Sequence, residues 1–207
     1  SVRIDGVEIT ALPPARRDIG MVFQNYALFP HLTVERNVAF PLEMRNIAKA
    51  EIARRVAEAL ALVELAGYEQ RLPRQLSGGQ QQRVAIARAL ANDPPIIAAD
   101  EPTGNLDSKT ADAVFSAFER LVEQGKTIVM VTHDNDLASR VSRALHVADG
   151  EIVEDRRRWL EDELVEEAAP VEPAAVVEEL LAVVGQEEDE RVLVEAGRLQ
   201  LADEAAE

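Results

Sequence analysis

Short apolar runs alternate with longer amphipathic stretches along most of this chain. The runs are typical of buried parallel strands, and the stretches repeat their apolar residues at the spacing of one helix face. Strands are predicted at Ile19–Phe23, Ile96–Ala99, Thr127–Thr132, Ala144–Ala148 and Glu151–Glu154, and helices at Val34–Phe40, Ala48–Leu65, Gly78–Leu90, Ser108–Glu123 and Asp136–Val141. This alternation predicts an α/β fold with a mainly parallel sheet.

The turn and capping residues between these elements predict further local features. Residues 2–9 alternate apolar and polar side chains around an Asp-Gly pair, which predicts a short hairpin. Thr33 is a candidate N-cap for the helix that follows it, and Pro41 is expected to interrupt that helix. Gly67 is expected to end the next one.

Polar side chains follow three of the predicted strands. Gln24 comes directly after the first strand, Asp100 and Glu101 after the second, and His133 after the third. In open α/β sheets, ligands bind at the carboxyl ends of the strands. An aspartate there can hold Mg²⁺ beside a phosphate, and a neighbouring glutamate can polarise an attacking water. Each residue alone also fits a plain turn or helix cap, but together they favour a phosphoryl-transfer site.

A second phosphate-compatible feature is the turn that opens the third helix. Ser77 is a good N-cap, and Gly78 and Gly79 let the backbone approach a ligand closely. The free N–H groups and the positive end of the helix dipole suit an anion. An ordinary capped helix after a loop remains the alternative for these three residues alone.

Charge and composition narrow the classes of function. The 207 residues carry a net charge of −16, but residues 159–207 hold 16 acidic and only two basic residues. The rest of the chain is nearly neutral and shows no basic face, so we expect no nucleic-acid partner. There is no cysteine, no apolar run of membrane-spanning length and no secretory signal at Ser1, which suits a cytoplasmic protein.

Five segments in order resemble the nucleotide-binding domain of ATP-binding cassette (ABC) transporters, over about Val2–Glu154. Leu76-Ser77-Gly78-Gly79-Gln80 is identical to the family's signature sequence. The other four segments are similar to the Q-loop (Gln24), the Walker B strand with its catalytic glutamate (Ile96–Glu101), the D-loop (Gly104–Asp107) and the switch histidine (His133). The resemblance implies a P-loop NTPase-like fold with a helical subdomain at about residues 25–90, within an ATPase domain at 1–155.

The resemblance also implies a role for each of these residues in a head-to-tail dimer of two ATP-binding subunits. ATP and Mg²⁺ would be the cofactors. On the chain's own nucleotide, Asp100 and Gln24 would bind Mg²⁺, Glu101 would be the general base and His133 would contact the γ-phosphate. Contact with the opposite subunit's nucleotide is the implied role of Ser77, Gly78, Gly79 and Gln80. Asp107 would couple the two sites across the interface. Gln24 and His133 thereby join Glu101 among the expected catalytic residues.

One family motif is absent from residues 1–207. The phosphate-binding P-loop, Gly-x-x-x-x-Gly-Lys-Ser/Thr, does not occur, and Gly125-Lys126-Thr127 precedes a strand instead of following one. In the family the P-loop lies upstream of the hairpin that here begins at Ser1. We therefore expect an N-terminally incomplete cassette, either a fragment or the product of a misread gene start, that does not hydrolyse ATP alone.

The family implies a transmembrane permease as partner and a peripheral position on the inner face of the cell membrane. Tyr26, Leu28 and Phe29 are candidate permease contacts, although they also fit a core. The sequence at 99–107 resembles lipoprotein-release and macrolide-export cassettes, whereas that at 21–31 resembles sugar, polyamine and other solute importers. No substrate follows from this. A soluble cassette protein of chromosome maintenance, DNA repair or translation, and an inactive partner-binding remnant, remain alternatives.

Residues 156–207 form a separate acidic tail in this interpretation. Its charge density favours a solvated, partly disordered segment. The alternative is the start of a regulatory module, in which Val176, Val177, Leu180, Leu181 and Val184 make an amphipathic helix and residues 191–195 a short strand.

Overall fold

A computed structural model describes residues 3–4, 6–148, 151–157 and 180–185, the last of these by backbone alone. The chain divides into two compact units, one made of residues 18–126 and the other of residues 1–17 and 127–207. In chain order the strands are β1 Arg3–Ile4, β2 Val7–Glu8, β3 Ile19–Val22, β4 Ile96–Asp100, β5 Thr127–Thr132, β6 Arg143–Ala148, β7 Glu151–Arg157 and β8 Leu180–Gly185, and the helices are α1 Val34–Met44, α2 Lys49–Leu62, α3 Gly78–Leu90, α4 Ser108–Glu123 and α5 Asn135–Arg140. Most predicted elements are therefore confirmed within one to three residues.

The unit of residues 18–126 is built around two parallel strands and four helices. Strand β3 pairs with β4 in parallel, with Val22 opposite Ala99, so both carboxyl ends lie at the same edge. Helix α3 packs on β3, α1, α2 and α4. The buried core of this unit contains Leu42, Leu60, Ile86, Ile97, Phe115 and Phe118. Burial of such side chains is the main stabilising contribution to the unit, about 1.5–3 kcal/mol for each large one.

The other unit contains the hairpin β1–β2 and four paired strands in the order β5-β8-β6-β7. Strand β8 is parallel to both of its neighbours, and β6 and β7 are antiparallel. Ile128, Met130 and Leu145 are fully buried. The expected hairpins at residues 2–9 and after Ala148 are confirmed.

Two expectations about the helices are wrong. Pro41 does not interrupt α1, which continues to Met44. A proline removes one backbone donor, but Val38 and Leu42 stay on one fully buried face, and that packing keeps the helix intact. Helix α2 ends at Leu62, well before Gly67, because Glu64 already adopts a left-handed φ of 59°.

The amphipathic helix considered for residues 176–184 is also wrong where the structure describes those residues. Leu180–Gly185 is a strand, with Val183 opposite Val131 of β5 and Leu145 of β6. The short apolar run Leu180–Val184 satisfies helical and strand spacing alike, and its two partners lie far away in sequence. The short strand expected at residues 191–195 lies outside the described residues, and the boundary at 155 stays a prediction.

Candidate nucleotide site

The N-terminus of α3 is a reciprocal cap built by Ser77 and Gln80. The Ser77 hydroxyl accepts a hydrogen bond from the Gln80 N–H at 3.3 Å, and Gln80 Oε1 accepts one from the Ser77 N–H at 3.0 Å. Gln80 Nε2 also donates to the Tyr68 hydroxyl at 3.4 Å. The predicted N-cap is confirmed. Ser77 is exposed, so this capped helix end is open to a ligand.

The two glycines after Ser77 lie close to neighbouring side chains. A Cβ on Gly78 would lie 3.0 Å from the Tyr26 hydroxyl oxygen, and a Cβ on Gly79 would overlap the Thr110 side chain. Because these glycines carry no side chain, Tyr26 and α4 can pack closely against the first turn of α3.

Asp107 caps α4 beside this turn. Its carboxylate accepts hydrogen bonds from the Thr110 N–H at 3.1 Å and from the Thr110 hydroxyl at 2.7 Å. These bonds, the side-chain one first, lower the pKa of Asp107. Asp107 therefore stays ionised at neutral pH, and Thr110 connects the first turns of α3 and α4.

The parallel pairing of β3 and β4 brings Gln24 and Glu101 together. Gln24 Nε2 lies 3.2 Å and Glu101 Oε2 lies 3.5 Å from the position that a Cβ on Gly104 would occupy. Asn105 Nδ2 donates to the Gln24 carbonyl oxygen at 3.2 Å. Glu101 has a left-handed φ of 44°, which turns the chain sharply after Asp100. Gln24 and Glu101 therefore lie close together beyond the ends of β3 and β4, as predicted.

His133 belongs to the other unit. It directly follows β5, its side chain is exposed, and the next residue, Asp134, caps α5 by accepting from the N–H groups of Asp136 and Leu137 at 2.9 and 3.2 Å. The polar cap of that helix is therefore Asp134. The catalytic role of His133 stays a prediction.

Three residues in contact with the site had no role assigned from sequence. Thr110 contacts Gly79 and Asp107, Asn105 holds the Gln24 carbonyl, and Arg88 binds the loop after Gln24 through Tyr26 and Ala27. A threonine three residues after a capping aspartate is a local signal that could have indicated the first. The other two contacts join residues more than 60 positions apart and have no local signal.

Asp100 and Gln24 could hold Mg²⁺ together with phosphate oxygens. Both offer oxygen donors, at the carboxyl end of β4 and just beyond that of β3. Among the residues that the structure describes, no group of three or more acidic or histidine side chains is arranged for a metal ion. Mg²⁺ is usually bound by one or two protein groups and the substrate phosphates, so this sparse donor set fits it.

Comparison with known proteins identifies the family. The family model for ABC transporters matches residues 1–104. The chain belongs to the ABC transporter family. It is 51% identical over 154 residues to the spermidine/putrescine import ATP-binding protein PotA of Acidothermus cellulolyticus, covering 74% of this chain and 40% of the relative. It is 50% identical over 138 residues to the putrescine transport ATP-binding protein PotG of Escherichia coli, covering 66% of this chain and 37% of the relative.

The fold agrees with this membership. A dimeric post-hydrolysis structure of the ATP-binding cassette MJ0796, bound to ADP and Pi, matches at a TM-score of 0.65 with 42% identity, covering 74% of this chain and 71% of that one. The expected P-loop NTPase-like α/β fold is confirmed. The chain spans about two fifths of the length of the curated relatives, and no helix in its described part is long and apolar enough to cross a membrane.

Proposed function

We propose that this chain is the ATP-binding part of an ABC transporter that works as a solute importer. The observation that carries the proposal is the capped N-terminus of α3, where the exposed Ser77 precedes Gly78 and Gly79 in an anion-compatible turn. Support for import comes from relatives named for spermidine/putrescine import and putrescine transport, which also make a polyamine the candidate substrate. ATP, with Mg²⁺ at Asp100 and Gln24, is the ligand.

The site works between two ATP-binding subunits. In this proposal, the α3 turn of this chain contacts a nucleotide that is held by the P-loop of a partner subunit. Donors fixed at the helix end would stabilise the charge that develops on the transferred phosphate. On the chain's own side, we expect Glu101 to accept a proton from water, Gln24 to bind Mg²⁺ and Asp107 to couple the two sites across the interface. The role expected of His133, in the other unit, is contact with the γ-phosphate.

A permease contact and a position at the cytoplasmic face of the membrane complete this proposal. Tyr26, Leu28 and Phe29 are all half-buried. The Phe29 ring packs against Phe40 at a centroid distance of 4.6 Å, which leaves only part of its surface for a partner. The Tyr26 hydroxyl likewise lies against Gly78. Leu28 therefore supplies more of the expected contact than Phe29 or Tyr26 does.

Complementation tests whether the α3 turn acts on a partner's nucleotide. The partner is a PotA-type ATP-binding protein chosen because its sequence carries the family's P-loop motif, with its own signature serine and glycines replaced, so that it should not turn over ATP by itself. Adding the 207-residue chain should restore turnover, and the Ser77→Arg variant should not, because the large cation blocks the turn. Lys109→Arg, at an exposed position of α4, serves as the matched surface control. No restored turnover with the parent chain would contradict the proposal.

A further inference from the structure

Arg88, in the last turn of α3, binds the loop that follows Gln24. Its Nη1 donates to the Ala27 carbonyl at 2.6 Å, and its Nη2 donates to the Tyr26 carbonyl at 3.0 Å. The guanidinium carbon lies 5.9 Å from the centroid of the Phe29 ring. Burial lowers the pKa of Arg88, and its guanidinium stays charged, as arginine does in proteins. A charged group is thus partly desolvated here, and hydrogen bonds to two carbonyls and the ring offset that cost.

The two carbonyls belong to residues with a disfavoured backbone. Tyr26 has a φ of 60° and Ala27 a φ of 49°. The left-handed region is unfavourable for residues that carry a Cβ, and two such residues in succession are rare. Inside the loop, the Tyr26 N–H donates to Phe23 and the Ala27 N–H to Asn25. Arg88, which lies on α3 outside the loop, holds the carbonyl groups of both residues.

The same loop reaches both parts of the nucleotide site. Before Tyr26, the Gln24 carbonyl is held by Asn105 and the Gln24 amide faces Glu101 across Gly104. The Tyr26 hydroxyl lies against Gly78 at the N-terminus of α3. The loop is therefore tied to the first turn of α3 by Tyr26 and to the last turn by Arg88.

We propose that Arg88 is a positioning residue that couples Gln24 to α3. By holding Tyr26 and Ala27 in the left-handed conformation, it fixes the direction in which Gln24 faces Glu101. Because its planar fork binds both carbonyls, the loop and the helix move as one body. A nucleotide at the Ser77 turn is then sensed at Gln24. This last step depends on the proposed function, whereas the fixation of the loop does not.

Hydrogen exchange on the 207-residue chain alone tests the fixation. The variant is Arg88→Met, and the matched control is Arg83→Met, because Arg83 lies on the same helix and donates to the Val63 carbonyl at 3.2 Å without touching the loop. Loss of two charged hydrogen bonds should speed exchange at the Tyr26 and Ala27 amides by about tenfold or more, and the control should exchange as the parent does. Parental exchange in a folded Arg88→Met variant would overturn the proposal.

Arg88→Lys keeps the test decisive if Arg88→Met does not fold. A lysine is a point charge without the planar fork, so it can bind one carbonyl well but not both at once. Exchange at Tyr26 and Ala27 should then lie between that of the parent and that of a fully released loop. Exchange equal to the parent's would count against the two-carbonyl role of Arg88.

The coupling step is tested with the PotA partner described above and ATP. In the parent chain, ATP should change exchange at residues 24–28 once the mixed dimer forms. Arg88→Met should still form the dimer but lose that change, and Arg83→Met should keep it. A structural role alone would not remove this response. If the parent forms no ATP-dependent dimer, the proposed function fails, while exchange in the chain alone still decides whether Arg88 fixes the loop.

Discussion

The size of single side chains decides how closely the first turns of α3 and α4 approach. Gly79 is buried, and Thr110 occupies the space that a Cβ on Gly79 would need. The Thr110 hydroxyl is at the same time committed to Asp107. The Thr110 methyl group therefore packs against Gly79, while its hydroxyl bonds to Asp107. Removing the methyl group alone separates the effect of packing from that of the hydrogen bond.

Gly79→Ala should destabilise the chain by about 1–3 kcal/mol, since a branched neighbour cannot yield without moving the backbone. Urea unfolding measures this. Thr110→Ser removes the obstructing methyl group and keeps the hydroxyl for Asp107, so the double variant should recover most of the loss. An equal loss in the single and double variants would show that Thr110 is not the obstruction.

At the scale of elements, helix α2 carries an ion-pair network along one face. Arg54 bridges Glu51 and Glu58, and Arg55 also pairs with Glu51 at 2.7 Å. The hydrogen bonds from Arg54 and then Arg55 lower the pKa of Glu51 to about 2. The spacing of three and four residues is the favourable one on a helix, and salt weakens such exposed pairs.

This network predicts a pH dependence of stability. The pKa of Glu51 is lower in the folded than in the unfolded chain, so its contribution is fully present above the ordinary range near 4.5 and is lost as the pH falls toward 2. The Glu51→Gln variant should show a flatter decline in melting temperature between pH 5 and about 2.5 than the parent. Glu8→Gln, at an exposed position outside α2, is the control and should decline like the parent.

Most elements could be predicted because their signals are local. Helix α4 begins at a capping aspartate and ends before Gly125, and its predicted bounds, Ser108–Glu123, are those of the structure. Strand β5 is likewise found where the apolar run Thr127–Thr132 predicted it. The prediction at Pro41 was wrong because burial of one helix face outweighed the tendency of proline to end a helix. Strand β8 could not be predicted because strand pairing depends on residues remote in sequence.

The candidate site likewise has some features that the sequence predicts and others that it does not. The proximity of Gln24 and Glu101 followed from two strands that end at one edge, and the capped turn at Ser77 followed from its residue types. The contacts of Arg88 and Asn105 depend on how a loop with left-handed residues folds back onto the site, and no spacing rule covers them.

At the scale of the whole chain, the negative charge and the described structure lie in largely different parts. Residues 159–207 carry most of the net charge of −16. Only 180–185 of these are described, as a strand parallel to β5 on one side and β6 on the other. That part of the acidic region is thus an interior strand of its sheet and does not match the solvated tail expected from its composition.

Val183→Pro should therefore destabilise the chain by about 3 kcal/mol or more, since proline removes a donor from a strand with partners on both sides. Thermal unfolding followed by circular dichroism measures the loss. Val183→Ala keeps the N–H and serves as the control for a side-chain effect. A melting temperature that proline leaves unchanged would argue against the placement of β8.

If ATP hydrolysis needs residues from two subunits, the 207-residue chain alone should not turn over ATP, and its rate of ATP turnover is the measurement to make. Without a P-loop in these residues, the chain's own Glu101 has no firmly held nucleotide to act on. The expected rate is therefore the same for the parent and for Glu101→Gln, both at the level of a buffer control. Robust turnover by the parent, abolished by Glu101→Gln, would contradict the account.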